Sequence, residues 1–420
     1  MTDRLYYRDS FLRSFEARVA DIRESSRTDG VSVWQIALDR SAFYPTSGGQ
    51  PCDFGTLKAV SRTGATLDVP IEGVEEDENG EVWHYTRKPL LAGTLVTGEI
   101  DWERRLDHIQ QHSGQHLLSA VFVRELDAPT VSFHLGEEIS TIDLASGAIA
   151  HHSLERVERI ANQMIAEARP VAVRTVEGEE AKNLLAAGRL RKLPEREGPI
   201  RLIEIADYDL NACGGTHVSS TGQIGGLMIR SVEKISRGVR VSYVCGLRAV
   251  RAARRDAGLL EEAGRALSTG SEGVPAAVER LLAEGKSSAK ARMKLREELA
   301  NYHAARLVVE ELIHRHLRLV RRIFPDRDRD YVKLLASRVV ASAPHTVALL
   351  VSSEEAPARV VLARSQDMDL HCGELLKNAL AELGFRGGGS PDLAQGDLSP
   401  EQVDSFIVQL ERKLREQFAR

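Results

Sequence analysis

Apolar and polar residues alternate with period two along Val31-Ser32-Val33-Trp34-Gln35-Ile36-Ala37-Leu38 and, less cleanly, along 80–85. That alternation is the mark of half-buried strands. Turn signals fall between the two runs at Ser47-Gly48-Gly49-Gln50-Pro51 and Asp77-Glu78-Asn79-Gly80, so residues 1–100 are predicted to form a small β-barrel or sandwich of short strands. The period then changes. Leu106, Ile109, His112, His116 and Ala120 share one face of a predicted helix over 101–123. A second helix is predicted over 154–168, with Ser153 as its cap and Pro170 as its stop. Strands predicted at 202–205 and 226–229 flank a loop rich in Gly, Asn and Ser, and another strand is predicted at 239–244.

Beyond 250 the texture becomes helical. One helix is expected to end in Ser268-Thr269-Gly270-Ser271-Glu272-Gly273, and Pro275 suits the first turn of the next. Leu295, Leu299, Tyr302, Ala305, Val309, Leu312, His316, Leu319 and Ile323 recur at steps of three and four. This heptad stripe predicts a helical hairpin or coiled-coil arm that either joins two copies of the chain or spaces two domains. Phe324-Pro325-Asp326 stops it. Strands predicted at 346–351 and 359–363, a helix at 373–383, a glycine-rich stretch at 384–392 and an amphipathic helix at 400–418 give the end of the chain an α/β texture. The expected fold class is α+β, in four regions: 1–100 (β-barrel), 101–250 (α/β), 251–325 (helical arm) and 326–420 (C-terminal α/β domain).

Composition narrows the function classes. With 420 residues, 42% of them apolar and 28% charged, the chain has ordinary globular chemistry and room for two or three domains. Its net charge of −5 excludes a uniformly basic nucleic-acid binder, though not local basic patches. Arginine outnumbers lysine by 45 to 11; guanidinium suits phosphate contacts, but genomic base composition produces the same bias. No apolar run approaches the ~20 residues that span a bilayer, and the first residues lack the layout of a signal peptide. Four cysteines cannot make a disulfide framework. A reduced, cytoplasmic enzyme or binding protein is the expectation.

His108, His112 and His116 stand at i, i+4 and i+8 on the predicted helix. Two histidines one turn apart can reach one ion, and spacing alone leaves open whether 108/112 or 112/116 is the pair. Asn211-Ala212-Cys213-Gly214-Gly215-Thr216-His217 places a thiol and an imidazole on one loop. Its plain alternative is a buried free cysteine beside a loop histidine. Taken with the helix, the loop gives a nitrogen/sulfur donor set that favours Zn²⁺ over Mg²⁺ or Ca²⁺.

The stretches Asp107-His108-Ile109-Gln110-Gln111-His112-Ser113-Gly114-Gln115-His116 and Ala212-Cys213-Gly214-Gly215-Thr216-His217-Val218 resemble the HxxxH and CxGTH signatures of the alanyl-tRNA synthetase editing domain and its freestanding AlaX-type relatives. Ala42-Phe43-Tyr44-Pro45-Thr46-Ser47-Gly48-Gly49-Gln50-Pro51 is similar to that family's FYPx[GS]GGQ loop. Gly387-Gly388-Gly389-Ser390-Pro391-Asp392-Leu393-Ala394-Gln395-Gly396 is similar to the GGGxPxxAQ loop of the domain that closes alanyl-tRNA synthetases. The four motifs follow the family's order and cover nearly the whole chain. The resemblance implies a metal set of His112, His116, Cys213 and His217, leaving His108 outside it. It also implies that region 101–250 is an editing domain, and that no aminoacylation domain precedes it.

What the resemblance implies for activity is hydrolysis of the ester joining a mischarged amino acid to tRNA(Ala), serine first and glycine second. One methylene or hydroxyl in an apolar pocket is worth only about 1–3 kcal/mol, so a second, hydrolytic site is needed for fidelity. Thr46 and Gln50 are expected to face the aminoacyl group, and Gly48 and Gly49 to admit the terminal adenosine. Gly387, Gly388 and Gly389 are expected to contact RNA. Three protein ligands would leave zinc an open position and four would close it; the residue types allow both. His108 and His134 are further candidates near the pocket. Arg189, Arg191, Lys192, Arg248, Arg251, Arg254 and Arg255 are candidates for tRNA contacts. Editing of another mischarged tRNA such as Ser-tRNA(Thr), and a non-catalytic zinc-stapled tRNA-binding protein, are the competing readings.

Overall fold

A computed structural model of the chain describes residues 1–28, 31–60, 64–190, 193, 198–314 and 316–418. They form a mixed α+β protein in two compact units, Met1–Glu262 and Ala263–Arg420. No described helix is long and apolar enough to cross a membrane.

The first unit opens with β1 (Asp3–Arg4), β2 (Ser14–Thr28), β3 (Val31–Leu38), β4 (Arg40–Ser41), β5 (Gly55–Val60), β6 (Thr66–Ile71), β7 (Gly73–Glu76), β8 (Val82–Thr86) and β9 (Leu95–Ile100). Seven of these strands form one sheet in the order β6-β5-β9-β2-β3-β8-β7. Strand β2 is its seam: residues 14–18 pair with β9 and residues 19–28 with β3, with register shifts at Val19/Asp21 and Glu24/Ser26. Bulges of this kind bend a strand and increase its twist. Both halves of the sheet therefore contribute to one core, including Phe15, Val19, Ile36, Leu57, Val69, Val82 and Val96. Among the described residues no ladder joins β6 to β7, so the region is an open sheet and not the expected closed barrel. Strand spacing reports length; closure depends on the pairing of the two edges.

His84, on β8, is wholly buried. Its Nδ1 lies 2.9 Å from the Ile36 carbonyl and its Nε2 lies 2.7 Å from Ser41 Oγ, which in turn accepts from the Phe43 amide. Burial lowers its pKa to about 4. A neutral imidazole thus anchors the chain just before the loop that follows β4.

Helix α1 (Trp102–Leu126) is capped by the Asp101 side chain, which accepts from the Arg104 amide. Its Arg105 is fully buried and reaches the fully buried Asp53, with Nε–Oδ distances of 2.9 and 3.0 Å. The same guanidinium donates to the carbonyls of Ser10 and Ala42, while Asp53 accepts the Tyr44 amide at 2.6 Å. This network fastens the 42–53 loop to the helix.

After α1 come β10 (Thr130–Leu135), β11 (Ser140–Leu144), α2 (His151–Ala166), β12 (Val171–Val176), α3 (Gly178–Ala186), β13 (Ile200–Ile205), β14 (Asp209–Ala212), β15 (Leu227–Ile235), β16 (Gly238–Cys245) and α4 (Gly246–Ala266). They give a four-stranded sheet, β10-β11-β16-β15, and a three-stranded one, β12-β13-β14. Ile109, Leu117, Val121 and Phe122 of α1 and Val157 and Ala161 of α2 share a core with Ile142, Val241 and Tyr243. Helix α2 starts earlier than Ser153 predicts: Ala150 occupies the cap without a side-chain bond, and Ser153 lies inside the first turn.

The second unit contains α5 (Val274–Glu310), β17 (Arg318–Phe324), α6 (Arg329–Ser342), β18 (Thr346–Ser352), β19 (Ala358–Arg364), α7 (Cys372–Ala381), β20 (Gly387–Gly389), β21 (Leu393–Leu398) and α8 (Val403–Gln417). Its sheet runs β17-β18-β19-β21-β20. Val347, Leu349 and Val351 of β18 join one core with Leu376 and Phe406, and the alternate residues Ala348 and Leu350 join the other with Ala300, Ala304, Leu307 and Leu335. Helices thus cover both faces.

The heptad stripe is not one continuous helix. Helix α5 ends at Glu310, and Leu319 and Ile323 belong to β17. Over the stretch of the stripe α5 buries Ala300, Ala304 and Leu307, which pack with α6; Leu295, Tyr302 and Val309 stay exposed. Close helix packing selects small side chains there, which a search for large apolar residues passes over.

Replacing Arg105 with Met strands a buried carboxylate, and we expect a loss of about 3–5 kcal/mol in chemical denaturation; a loss under about 1 kcal/mol would contradict the anchoring role. The His84 imidazole titrates at about 4 when folded against about 6.5 when unfolded. The unfolded chain therefore takes up this proton first as pH falls from about 6.5 to about 4. Over that window His84 costs about 3 kcal/mol of stability, with no contribution above it. An NMR titration of His84 with a midpoint near 6.5 would refute this.

Candidate metal centre

Helix α1 sets the first half of the site. His112 and His116 lie one turn apart on its buried face, with ring centroids 5.2 Å apart. The loop after β14 supplies the second half. Cys213 Sγ lies 3.4 Å from His112 Nε2 and 3.2 Å from His217 Nε2, and the His217 ring is 4.5 Å from His112 and 4.8 Å from His116. One donor atom from each of the four residues lies within 4.8 Å of the others. Three imidazoles and a thiol converging on one point form a donor set able to hold a metal ion.

Hydrogen bonds orient these donors. His112 Nδ1 lies 2.8 Å from Gln50 Oε1, which also accepts the Thr216 amide at 3.1 Å; Gln50 Nε2 donates to Thr216 Oγ1 at 2.8 Å. Because Gln50 Oε1 is an acceptor only, His112 carries its proton on Nδ1 and turns a bare Nε2 towards the thiol. Ser113 Oγ lies 3.3 Å from His217 Nδ1 and accepts the Val218 amide, and Ser10 Oγ accepts the His217 amide. Burial, followed by the neighbouring imidazoles, holds the pKa values of His112 and His217 well below the usual value. Burial also raises the Cys213 thiol, against the pull of the Gly215 amide and Arg201. Neutral imidazoles are the form a metal binds.

Glycine permits the close approach of loop to helix. A Cβ on Gly215 would lie 2.1 Å from His112 Cε1 and 3.0 Å from Gln50 Oε1. Gly49, at φ +81°, faces the Phe133 ring, which a Cβ there would meet at 2.8 Å; that ring in turn lies 5.9 Å from His112. A cleft of about 490 Å³ adjoins Cys213, lined among others by Tyr7, Tyr44, Thr46, Gly48 and Arg201.

The residues singled out in the sequence divide accordingly. Thr46 and Gly48 border the cleft. Gln50 is fully buried, behind His112. His108, a further candidate near the pocket, is buried outside the four-donor cluster, with burial lowering its pKa to about 3. His134 is exposed on β10, and it is its neighbour Phe133 that approaches the site. Arg248 is buried against Asp107 and the Gly136 carbonyl, and Arg251 pairs with Glu103. Arg189 lies 3.6 Å from Glu204, and Arg254 and Arg255 are exposed on α4. Arg191 and Lys192 lie outside the described residues. In the second unit Gly387 and Gly389 pack tightly against Leu380 and Leu393, whereas Gly388 faces open space. Sequence reasoning missed Ser113, Thr216, Gly215 and the Arg105–Asp53 pair. The first three lie inside the quoted motifs, so the signal was present but not their contacts.

Residues 200–240 match the family model described as the threonyl and alanyl tRNA synthetase second additional domain. Over 419 residues the chain is 28% identical to alanyl-tRNA editing protein AlaX-L of Pyrococcus horikoshii, covering 98% of each chain. It is 31% identical to alanine–tRNA ligase of Pyrococcus abyssi over 97% of its own length but only 43% of the ligase; it therefore spans less than half of that relative. Alanyl-tRNA editing protein Aarsd1 of Bos taurus is 32% identical over 70% of this chain and 66% of that protein. With similarity along the full length of a freestanding relative, and with the HxxxH and CGGTH residues gathered into one cluster, the chain belongs to the family of alanyl-tRNA editing proteins.

Proposed function

We propose that this protein is an aminoacyl-tRNA deacylase that edits mischarged tRNA(Ala) in trans, hydrolysing the ester to serine first and to glycine second. The observation that carries this reading is the four-donor cluster opening through Cys213 onto a cleft that Thr46 also lines. Three nitrogens and one sulfur favour Zn²⁺ over harder cations, with His112, His116, Cys213 and His217 as the residues that would hold it. Bound there, zinc supplies positive charge beside the cleft and ties the helix to the loop.

The chain's own residues do the rest. Gln50 fixes the His112 tautomer and braces the Cys213–His217 loop through Thr216, so its part is positioning. Thr46 is the residue we assign to the aminoacyl group. A hydroxyl recognised by a polar partner discriminates against alanine, which would leave that partner unpaired. Gly48 and Gly49 give the loop a low profile for the terminal adenosine. In the second unit the Gly387–Gly389 edge is our candidate RNA contact, with Gly388 unobstructed. The exposed stripe of Leu295, Leu299, Tyr302 and Val309 supports pairing of α5 with a second copy.

Side-by-side hydrolysis of Ser-tRNA(Ala), Gly-tRNA(Ala) and Ala-tRNA(Ala) is expected to fall in that order, with the alanyl ester spared. Cys213→Ala should abolish serine release and lower metal content. Preference for Ser-tRNA(Thr), or binding of mischarged tRNA without release of serine by metal-loaded protein, would overturn the assignment. Gln50→Leu is expected to keep the fold and weaken metal binding by about 10–100-fold, read by competition with a chromophoric chelator; unchanged affinity would remove Gln50 from the positioning role.

A further inference from the structure

Arg201, on β13, lines the same cleft as Cys213, and neither the motifs nor the proposed chemistry uses it. It is 6% exposed. Its Nη1 donates to the carbonyls of both Cys213 and Gly215, each at 2.8 Å, and its Nε reaches the Tyr7 carbonyl at 3.3 Å. Its own carbonyl accepts the Cys213 amide at 3.1 Å. Side chain and backbone of one residue thus hold the 213–215 turn from both ends. We propose that Arg201 is a positioning residue of the site, whose guanidinium Nη1, shared between two carbonyls, sets the turn that aims the Cys213 thiol at His112 and His217.

One contact gives this anchor consequences beyond stability. Gly215 is wedged against His112 and Gln50 so tightly that a Cβ would overlap the imidazole. Any shift of the turn therefore moves the thiol, His112 and the Gln50 carboxamide together. Two carbonyls left without this donor on loss of the guanidinium would seek water, and the turn would relax away from the helix. The guanidinium plane lets Nη1 donate to both turn carbonyls while Nε reaches the Tyr7 carbonyl, an arrangement a single ammonium lacks.

The inference rests on reading the cluster as a metal centre, and its spectroscopic and affinity readouts need no tRNA. Wild type, Arg201→Met and Arg201→Lys are loaded with Co²⁺, and the thiolate-to-cobalt absorption band, the Co²⁺ affinity and the thermal melt are measured. Deacylation of Ser-tRNA(Ala) is measured alongside. In Arg201→Met the band is expected to shift or weaken, affinity to fall about tenfold or more, and kcat to fall with KM held within about threefold. Arg201→Lys keeps the charge and one bond and should recover part of each. A wild-type band, affinity and kcat in folded Arg201→Met overturns the proposal. If that variant loses its cooperative melt, Arg201→Lys decides: a wild-type band and affinity there overturns it, and an altered band in a folded protein supports it. Wild-type protein that binds Co²⁺ through thiolate yet leaves Ser-tRNA(Ala) intact would sink the functional reading while leaving this test standing.

Discussion

One buried carboxamide joins the three segments of the first unit that build the site. Gln50 comes from the loop after β4, His112 from α1, and Thr216 from the loop after β14; Gln50 bonds to both of the others with no exposure to solvent. Burying an amide costs free energy unless its donors and acceptors are matched. Here Oε1 receives two hydrogens and Nε2 gives one, so the geometry is specified and not merely tolerated. The Arg105–Asp53 pair works one layer further out, holding the same loop against the same helix. A buried ion pair of this kind is weak as a source of stability but strict about register.

How much of this the sequence discloses depends on range. The i, i+4 histidines are legible because helical periodicity is a local property, and the four-donor cluster contains the pair 112/116 that the family resemblance implies. The convergence of a helix with a loop a hundred residues away is not local; donor chemistry pointed to it in advance, and the resemblance implied which histidines take part. Gln50 shows the limit. Its place in the loop motif marks it as a site residue, but its burial behind His112 follows from packing that no single window records. Arg105 and Arg201 are one arginine among forty-five in composition, and each is distinguished only by the carbonyls and carboxylate that surround it.

The second unit carries the complementary lesson. The strands predicted at 346–351 and 359–363 match β18 and β19 almost to the residue; both are near-continuous apolar runs because helices cover both faces of that sheet. The stripe over 295–323 satisfied a heptad template and still crossed a helix end at Glu310. Template matching cannot tell a face that is buried from one left exposed, and Ala300 and Ala304 do the packing instead.

The central claim is that helix and loop donors form one nitrogen/sulfur metal centre. X-ray absorption at the zinc edge of zinc-loaded protein addresses it most directly. The account predicts one sulfur at about 2.3 Å together with nitrogen ligands at about 2.0–2.1 Å, and loss of the sulfur scatterer in Cys213→Ala. A shell of light atoms alone in the wild-type protein would contradict it.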